Sequence, residues 1–358
     1  MKTPNEGYGI PHCEGGAPPR VAVVIVNYNG GALLHRALEA LAAQTLPPAR
    51  VIVVDNASTD GSAVALEERH PRVDVIRLPG NAGFAAANNA GVRAAADCEW
   101  VALVNPDAFA EPDWLERLLA AAREEPGHAF LGSRLLKADA PELLDGAGDA
   151  YHVSGMAWRR DHGRAAATHG TRRREVFSPC AAAALYRRDA FLDAGGFDER
   201  WFAYYEDNDL AFRLRLRGHR CLYVPEAVVH HVGSAIAGAE SEFTIYHAHR
   251  NLIWTYAKDM PAPLVWLYLP QHLLVNALSI AWYASRGRTR AILRAQRDAV
   301  RGLPDVLRTR REVQARRRVR SREVRRTMAK GLAAYAESLG RARLAVARDQ
   351  AKRRATAQ

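Results

Sequence analysis

An uninterrupted apolar run at residues 21–26, VAVVIV, constrains the fold of this chain more than any other feature. A strand that has no polar residue on either face must be covered on both sides, as the central strands of parallel sheets are. Similar runs recur downstream and alternate with segments of helical spacing. The predicted strands are residues 21–26, 51–54, 73–78 and 100–104, and the predicted helices are residues 32–43, 58–69, 84–96 and 112–125. Repeated β-α units predict a parallel sheet in an α/β domain.

Polar residues follow all four predicted strands: Asn27 the first, Asp55 the second, Asn81 the third and Asp107 the fourth. Ligands of such sheets bind outside the carboxyl ends of the strands. Turn formation alone explains any one of these residues, but four in succession favour a binding crevice. The first turn, NYNGG, lacks GxGxxG, and the chain has no GxxxxGK[ST] loop. A nicotinamide dehydrogenase and a P-loop NTPase are therefore disfavoured.

Five segments over residues 21–256 carry a family resemblance. They are VAVVIVNYNGG, VIVVDNASTDGS, NAGFAAANNAG, LVNPDA and GGFDERWFAYYEDNDLAFRLRLRG, in that order. The chain resembles family 2 glycosyltransferases of the GT-A fold, and bacterial rhamnosyltransferase-like members most. The resemblance implies a Rossmann-like nucleotide-sugar-binding domain with a mostly parallel central sheet. It also implies inverting transfer of a sugar to a hydroxyl of a glycan or lipid-linked glycan in cell-envelope polysaccharide synthesis. Rhamnose from dTDP-rhamnose is the first expectation, with UDP- and GDP-sugars as alternatives.

The resemblance also implies a set of donor-binding residues. They are Asn27, Tyr28, Asn29, Asp55, Asn81, Gly83, Phe84, Asn88, Asp107 and Arg250. Asp55 would accept a hydrogen bond from the imide N–H of a pyrimidine base, with a helix cap or a turn as the less favoured alternative. Phe84 has an alternative role in the core. Arg250 suits a bidentate phosphate contact, with a surface salt bridge as the alternative.

Asp107 and His231 are the metal ligands that the resemblance implies, with Mg²⁺ or Mn²⁺ as the cofactor. A divalent cation offsets the charge that gathers on a diphosphate leaving group. The usual DxD motif of the family is replaced here by Asn105-Pro106-Asp107, which removes one carboxylate. His231 belongs to a His pair after a strand, and a purely structural role is its alternative.

The acidic cluster at residues 206–209 supplies the predicted catalytic groups. By the resemblance, Asp207 is the base that takes the proton from the acceptor hydroxyl, and Glu206 orients the acceptor or the base. A positioned carboxylate performs this step within hydrogen-bond reach. Trp201, Tyr205 and Asp209 are the predicted acceptor-binding residues. A capped helix start is the alternative for the cluster, and it explains Asp209 best because carboxylates favour helix N-termini.

The net charge of +11 is unevenly distributed. Residues 286–358 carry a net charge of +17 and the remainder −6. Residues 260–285 contain no Asp, Glu, Lys or Arg but have aromatic residues near both ends. This pattern predicts helices that lie on or dip into an anionic membrane, with a packing helix in the core or a dimer as the alternative. Nucleic-acid binding is the weaker prediction, because the basic tail has almost no aromatic residues for base stacking.

The predicted organisation has three parts: a flexible arm at 1–19, a GT-A domain at 20–256 and a helical basic region at 257–358. The domain divides into a nucleotide-binding half at 20–110 and an acceptor half at 111–256. Four scattered cysteines fit a reducing compartment, and the expected location is the cytoplasmic face of the inner membrane, as a peripheral or monotopic protein. Homo-oligomerisation is left open. A catalytically degenerate binding protein, held to membrane or nucleic acid by its tail, is the alternative function.

Overall fold

The computed structural model describes residues 19–233, 241–331 and 334. The strands are β1 (Val21–Asn27), β2 (Arg50–Asp55), β3 (Val73–Arg77), β4 (Trp100–Val104), β5 (Ala108–Ala110), β6 (His128–Lys137), β7 (Ala140–Gly146), β8 (Asp149–Tyr151), β9 (Ala157–Arg159), β10 (Arg174–Glu175), β11 (Ala183–Arg187) and β12 (Arg220–His231). The helices are α1 (Gly31–Ala42), α2 (Leu66–Arg69), α3 (Gly83–Ala94), α4 (Trp114–Glu124), α5 (Arg188–Asp193), α6 (Glu206–Leu216), α7 (Glu242–Asp259), α8 (Ala262–Ala284), α9 (Thr289–Ala315) and α10 (Ser321–Thr327). A 3₁₀ turn covers Glu199–Trp201.

The first half of the chain forms the predicted parallel sheet, in the order β4-β1-β2-β3. All seven residues of β1 are buried, because side chains pack against both of its faces. Alternate residues Val23 and Val24 belong to two separate apolar clusters on opposite sides of the sheet. Gly91 of α3 lies so close to Val24 that an added Cβ would be 2.3 Å from Cγ1. The continuous apolar run thus marks the centre of the α/β domain.

The second half of the chain extends the same sheet. Strand β11 lies antiparallel between β4 and β6, and β12 runs parallel to β6. The short β5 pairs antiparallel with the end of β12, so that His231 lies opposite Ala108. Most of the paired residues lie in parallel ladders, and the fold class is the predicted α/β arrangement. This pairing carries the end of β12 to the edge where β1, β2 and β4 end.

After the last strand of the sheet, the chain forms a layer of helices. Helix α7 packs along α9, where the indole N–H of Trp254 donates to the carbonyl of Ala299 at 2.9 Å. The predicted domain division between 256 and 257 falls inside α7. Most of the predicted N-terminal arm and the end of the basic tail lie outside the described residues.

One predicted helix is mostly wrong. Residues 58–69 were expected to be helical behind a Ser58 cap, but only Leu66–Arg69 form α2. The hydroxyls of Ser58 and Ser62 instead accept hydrogen bonds from the Asn27 side chain, at 3.0 and 2.9 Å. Such short polar side chains compete with helical hydrogen bonding, and here they hold a turn against the end of β1.

Candidate active site

A cleft of about 710 Å³ opens at the carboxyl edge of the sheet. It brings together residues from both halves of the domain. The predicted site residues that line it are Tyr28, Asn81, Gly83, Phe84, Asp107, Tyr205, Glu206, Asp207 and His231. The cleft lies where the topology of an α/β sheet places a ligand.

Asn27 and Asp55 end β1 and β2 and do not line the cleft themselves. They are paired in the register of β1 and β2, and the Asn27 amide donates to the Asp55 carboxylate at 3.3 Å. Asn27 is fully buried, with its Nδ2 also bonded to two serines and its Oδ1 accepting from the Gly30 N–H at 3.2 Å. These bonds order the strand ends around Asp55. The contact of the Asn27 side chain with a base or ribose stays a prediction.

Two further predicted donor residues also bond within the protein. Asn88 is buried inside α3, where its amide donates to the Phe84 carbonyl at 2.9 Å, and it does not line the cleft. Asn29 accepts from the Thr59 N–H at 2.8 Å. Its role is to fix the loop that carries Tyr28. Helical geometry explains why Asn88 does not line the cleft, since residue 88 lies four positions after Phe84 and faces its backbone.

Asn56 was not predicted as a site residue, yet it lines the cleft. Its Nδ2 donates to Asn81 at 2.9 Å, and its Oδ1 accepts from the Ala82 N–H at 2.8 Å. Asn81 in turn accepts from the Gly83 N–H at 3.0 Å. The chain of amides fixes the turn that leads into α3. The sequence signal that could have identified Asn56 as a site residue was its position directly after Asp55.

Asp107 and His231 meet as predicted, with 3.4 Å between Oδ1 and Nε2. The opposite ring nitrogen, Nδ1, lies 2.8 Å from the carboxylate of Asp145, a residue that the sequence did not single out. Burial raises the pKa of Asp107, but the hydrogen bond from His231 and its charge outweigh this and lower it. Burial lowers the pKa of His231, while the two carboxylates raise it overall.

The donor set fits a hard divalent cation. A metal-bound histidine normally donates its other ring N–H to a carboxylate, and Asp145 provides this acceptor for His231. The described residues contain no group of three or more His, Cys, Asp or Glu arranged to hold a metal. Asp107 and His231 would therefore supply two ligands, and oxygens of a phosphate and water the rest, as Mg²⁺ prefers.

Arg159 of β9 is a second residue that the sequence did not single out. Its guanidinium pairs with Asp145 and remains 34% exposed at the cleft. Its charge helps to hold the pKa of Asp145 well below the ordinary value, against the effect of burial. Arg159 therefore connects the histidine side of the cleft with the acceptor side.

Glu206 and Asp207 open helix α6. Asp207 accepts from the backbone N–H and the side-chain amide of Asn208, at 2.7 and 2.9 Å. Burial nevertheless raises its pKa. The pKa of Glu206 is raised well above its ordinary value, first by burial and then by the charge of Asp207. Burial and the charge of Asp207 therefore both favour the protonated form of Glu206.

The backbone before these carboxyls is strained. Phe202, Tyr204 and Tyr205 all have positive φ, at 63°, 66° and 69°. Each such residue costs about 1–3 kcal/mol and persists only where its surroundings enforce it. The Tyr205 hydroxyl accepts from the Ala157 N–H at 3.0 Å, which joins this loop to the β8–β9 hairpin.

Two of the predicted acceptor-binding residues do not reach the cleft. Trp201 is fully buried, with its indole N–H donating to Thr255 at 3.0 Å. Asp209 is fully buried and pairs with Arg213 at 2.5 Å and with Lys258. Asp209 lies two residues after Asp207 on α6, which places its side chain about 200° further round the helix, on the interior side.

Aromatic residues do line the acceptor side of the cleft. Tyr205 is one, as predicted, and Tyr204 and Phe243 are others. Trp158 of β9 also lines it, and its indole N–H has no hydrogen-bond partner among the described residues. No motif surrounds Trp158 in the sequence, so only the fold of the hairpin identifies it.

Arg250 does not line the cleft. It lies on α7, where its Nη2 donates to the carbonyls of Arg200 and Trp201 at 3.0 and 3.1 Å. Its guanidinium covers the ring of Trp254 at 4.3 Å. The predicted phosphate contact is thus replaced by contacts with the loop before α6, because the N–H groups of Arg250 point to that backbone.

Sequence comparisons agree with this geometry. The model of the family described as Glycosyl transferase family 2 matches residues 22–194. The N-acetylglucosaminyl-diphospho-decaprenol L-rhamnosyltransferase of Mycobacterium tuberculosis is 32% identical over 296 residues, covering 71% of this chain and 92% of that protein. The pre-mycofactocin glycosyltransferase of the same organism is 32% identical over 216 residues, covering 59% of this chain and 42% of that protein.

Solved structures share the fold. GalNAc-T7, crystallised with UDP, GalNAc and Mn²⁺, superposes with a TM-score of 0.57 at 17% identity, covering 78% of this chain and 54% of that chain. Residues 1–349 of S. aureus TarS give a TM-score of 0.51 at 17% identity, covering 82% and 91%. The sheet and cleft are those of a GT-A glycosyltransferase, and the chain belongs to glycosyltransferase family 2.

Proposed function

We propose that this chain is an inverting, metal-dependent glycosyltransferase that moves a sugar from a nucleotide-sugar donor to a hydroxyl of a lipid-linked glycan. One observation carries the proposal. Asp107 and His231 lie together in the cleft, where β5 meets the end of β12. Asp207 lies in the same cleft on a different segment, helix α6. Separate segments suit an inverting transfer, in which the acceptor attacks from the face opposite the leaving diphosphate.

The donor occupies the end of the cleft formed by β1, β2 and α3. Tyr28 and Asn81 line this end. Asp55, the last residue of β2, would accept a hydrogen bond from the imide of a pyrimidine. Asp107 and His231 would hold Mg²⁺ or Mn²⁺, which when bound would supply positive charge against the diphosphate. Rhamnose from dTDP-rhamnose is the first choice of donor, supported by the name of the 32% identical relative.

Asp207 is the base. Its raised pKa keeps it a stronger proton acceptor than an ordinary aspartate, which suits general-base catalysis near neutral pH. The two hydrogen bonds from Asn208 fix Oδ1, so that the remaining oxygen receives the proton of the acceptor hydroxyl. Burial and the charge of Asp207 raise the pKa of the adjacent Glu206 and favour its protonated form.

The acceptor lies against the β8–β9 hairpin. Trp158 and Tyr205 offer aromatic faces to a sugar ring, and the free indole N–H of Trp158 suits a sugar hydroxyl. The 32% identical relative is named for a lipid diphosphate-linked N-acetylglucosamine acceptor. We infer an acceptor of the same class, in the synthesis of a bacterial cell-envelope polysaccharide.

Helix α8 attaches the enzyme to the membrane. It is long and apolar enough to cross a bilayer, and 28% of its apolar window is buried in the protein. Trp266, Leu267 and Leu274 are 73%, 58% and 58% exposed. Near its end, Arg286 covers the ring of Trp282 at 3.4 Å, an arrangement that suits the headgroup region.

Two polar residues in the middle of α8, His272 and Asn276, face the protein, while the neighbouring Gln271 is exposed. His272 donates through Nδ1 to the carbonyl of Ser154 at 2.8 Å, and Asn276 accepts from Gln296 at 3.1 Å. A helix with one covered polar side and one exposed apolar side lies in the membrane interface. We infer a monotopic protein at the cytoplasmic face of the inner membrane, with arginines of the C-terminal region toward anionic lipids.

The function is tested with a thermal-shift panel of dTDP-, UDP- and GDP-sugars, with and without Mn²⁺. Bound ligand stabilises the folded state by RT ln(1 + [L]/Kd), so the right donor raises Tm. Transfer is then measured with wild type and Asp207→Asn, which should lose about 10²–10⁴-fold in kcat while binding the donor equally well. Wild-type turnover in Asp207→Asn would exclude it as the base, and absence of any donor shift or turnover would exclude the function.

A further inference from the structure

The backbone carbonyls of residues 200–205 accept hydrogen bonds from an unusual set of donors. The carbonyls of this loop point in several directions, because three of its residues have positive φ. Two of these carbonyls bond to neighbouring helices: Phe202 O accepts from the Ala85 N–H at 3.2 Å, and Tyr205 O accepts from the Asp209 N–H at 2.8 Å. The Trp201 carbonyl already accepts from the Ala203 N–H within the loop at 2.7 Å. The carbonyls of residues 200, 203 and 204 need donors from elsewhere, since buried backbone groups are rarely left unpaired.

Asn251 and Arg250 of α7 supply these donors. Asn251 is fully buried, and its Nδ2 lies 2.9, 2.9 and 2.7 Å from the carbonyl oxygens of Trp201, Ala203 and Tyr204. Arg250 donates from Nη2 to the carbonyls of residues 200 and 201. Its Nε donates to Asn251 Oδ1 at 2.9 Å, which fixes the orientation of the amide. Two adjacent side chains thus bind four of the six carbonyls.

The loop ends at the catalytic pair. Tyr205 is the N-cap of α6, with φ 69° and no side-chain cap, and Glu206 and Asp207 are the next two residues. The direction in which α6 starts is therefore set by the backbone of residues 202–205. On its other side, Phe202 lies against Gly83 of the donor end. A displacement of this loop would move the base relative to both substrates.

We propose that Arg250 and Asn251 are positioning residues, which hold the strained 202–205 backbone so that Asp207 meets the acceptor hydroxyl. The proposal rests on the proposed function for the role of Asp207. A favourable contact must hold the backbone at a residue of positive φ, and at Tyr204 the Asn251 amide makes this contact. The pair acts through the loop and touches neither substrate.

The first test needs no substrate. Backbone amide exchange of residues 199–206 is measured in wild type, Asn251→Ala and Asn276→Ala. Asn276 is a matched control, a buried asparagine of α8 whose amide donates to the His272 carbonyl at 2.8 Å. Asn251→Ala should exchange at least about tenfold faster in this loop only, because local opening free energy sets the exchange rate. Equal loop exchange in wild type and Asn251→Ala would overturn the proposal.

The second test uses the transferase assay with the same variants. Asn251→Ala should lower kcat about 100-fold with little change in donor KM, because a shift of about 1 Å in a catalytic group has this effect. Asn276→Ala should keep wild-type kcat with a soluble acceptor. Unchanged kcat in Asn251→Ala, despite faster loop exchange, would overturn the positioning role.

Arg250→Lys covers the case in which Asn251→Ala does not fold. Lysine keeps the charge but lacks the planar fork that reaches two carbonyls and the amide oxygen. It should give faster exchange at 199–206 and a kcat about tenfold lower, and wild-type values for both would overturn the proposal. If wild type turns over no donor, the proposed function fails, while the exchange data still decide whether the pair holds the loop.

Discussion

Gly83 offers a sharp test of how the donor end contacts the loop before α6. It begins α3 with φ +85° and lines the cleft. A Cβ at this position would be 2.6 Å from Cδ2 of Phe202 and 2.7 Å from its carbonyl oxygen. The carbonyl also accepts from the Ala85 N–H, so it cannot move away without losing that hydrogen bond. Both the left-handed backbone conformation and the close contact with Phe202 therefore disfavour an alanine at position 83.

The expected magnitude follows from these two effects. A left-handed conformation costs a residue with Cβ about 1–2 kcal/mol. Overpacking against a fixed neighbour costs about 1–3 kcal/mol more. Gly83→Ala should therefore lower the free energy of unfolding by about 2–5 kcal/mol. Because Phe202 must shift, kcat should also fall by about 100-fold.

Gly163→Ala is the matched control, since Gly163 has φ +75° and nothing within 4 Å of the added Cβ. It should lower the free energy of unfolding by about 1–2 kcal/mol, the conformational part alone. Both variants are measured by guanidinium unfolding and by transfer kinetics. Equal losses of stability in the two variants, or full activity in Gly83→Ala, would refute the close contact between Gly83 and Phe202.

Three more predictions concern the acceptor side and the membrane. Because the folded pKa of Glu206 is raised, its favourable contribution to stability is present at low pH and lost as pH rises through that pKa. Glu206→Gln should therefore raise Tm above that pKa and leave it unchanged in acid, as a pH series of melting curves would show. Trp158→Ala should raise acceptor KM about tenfold, with donor KM unchanged in initial-rate kinetics. Leu274→Glu should weaken flotation with phosphatidylglycerol vesicles about tenfold, whereas Leu192→Glu, at an exposed leucine of α5, should float like wild type.

The nucleotide-binding half was largely predictable from the sequence. Its strands and helices are local, and a buried parallel strand such as β1 has a pattern that little else produces. The segment at 58–65 is the exception, because its serines bond to Asn27 across 31 and 35 residues of sequence. Such a bond leaves no periodic signal.

Side-chain direction was less predictable. The motif order indicated which segments form the site, but the start of α6 decides that Asp207 faces the cleft and Asp209 the interior. Arg250 was expected at the phosphates for its charge, and packing of α7 turns it toward backbone carbonyls. Trp158 and Asp145 lie outside every motif, so only the fold brings them to the site.

The pairing of β5 with β12 has a consequence for the order of synthesis. The Gly233 N–H that bonds to Asp107 lies 126 residues further along the chain. When the nucleotide-binding half has left the ribosome, the strand that carries His231 and the helix that carries Asn251 have not yet been made. Contacts of this separation close late in folding. A nascent chain therefore forms its parallel strands first, and the cleft is complete only when β12 and α7 have docked.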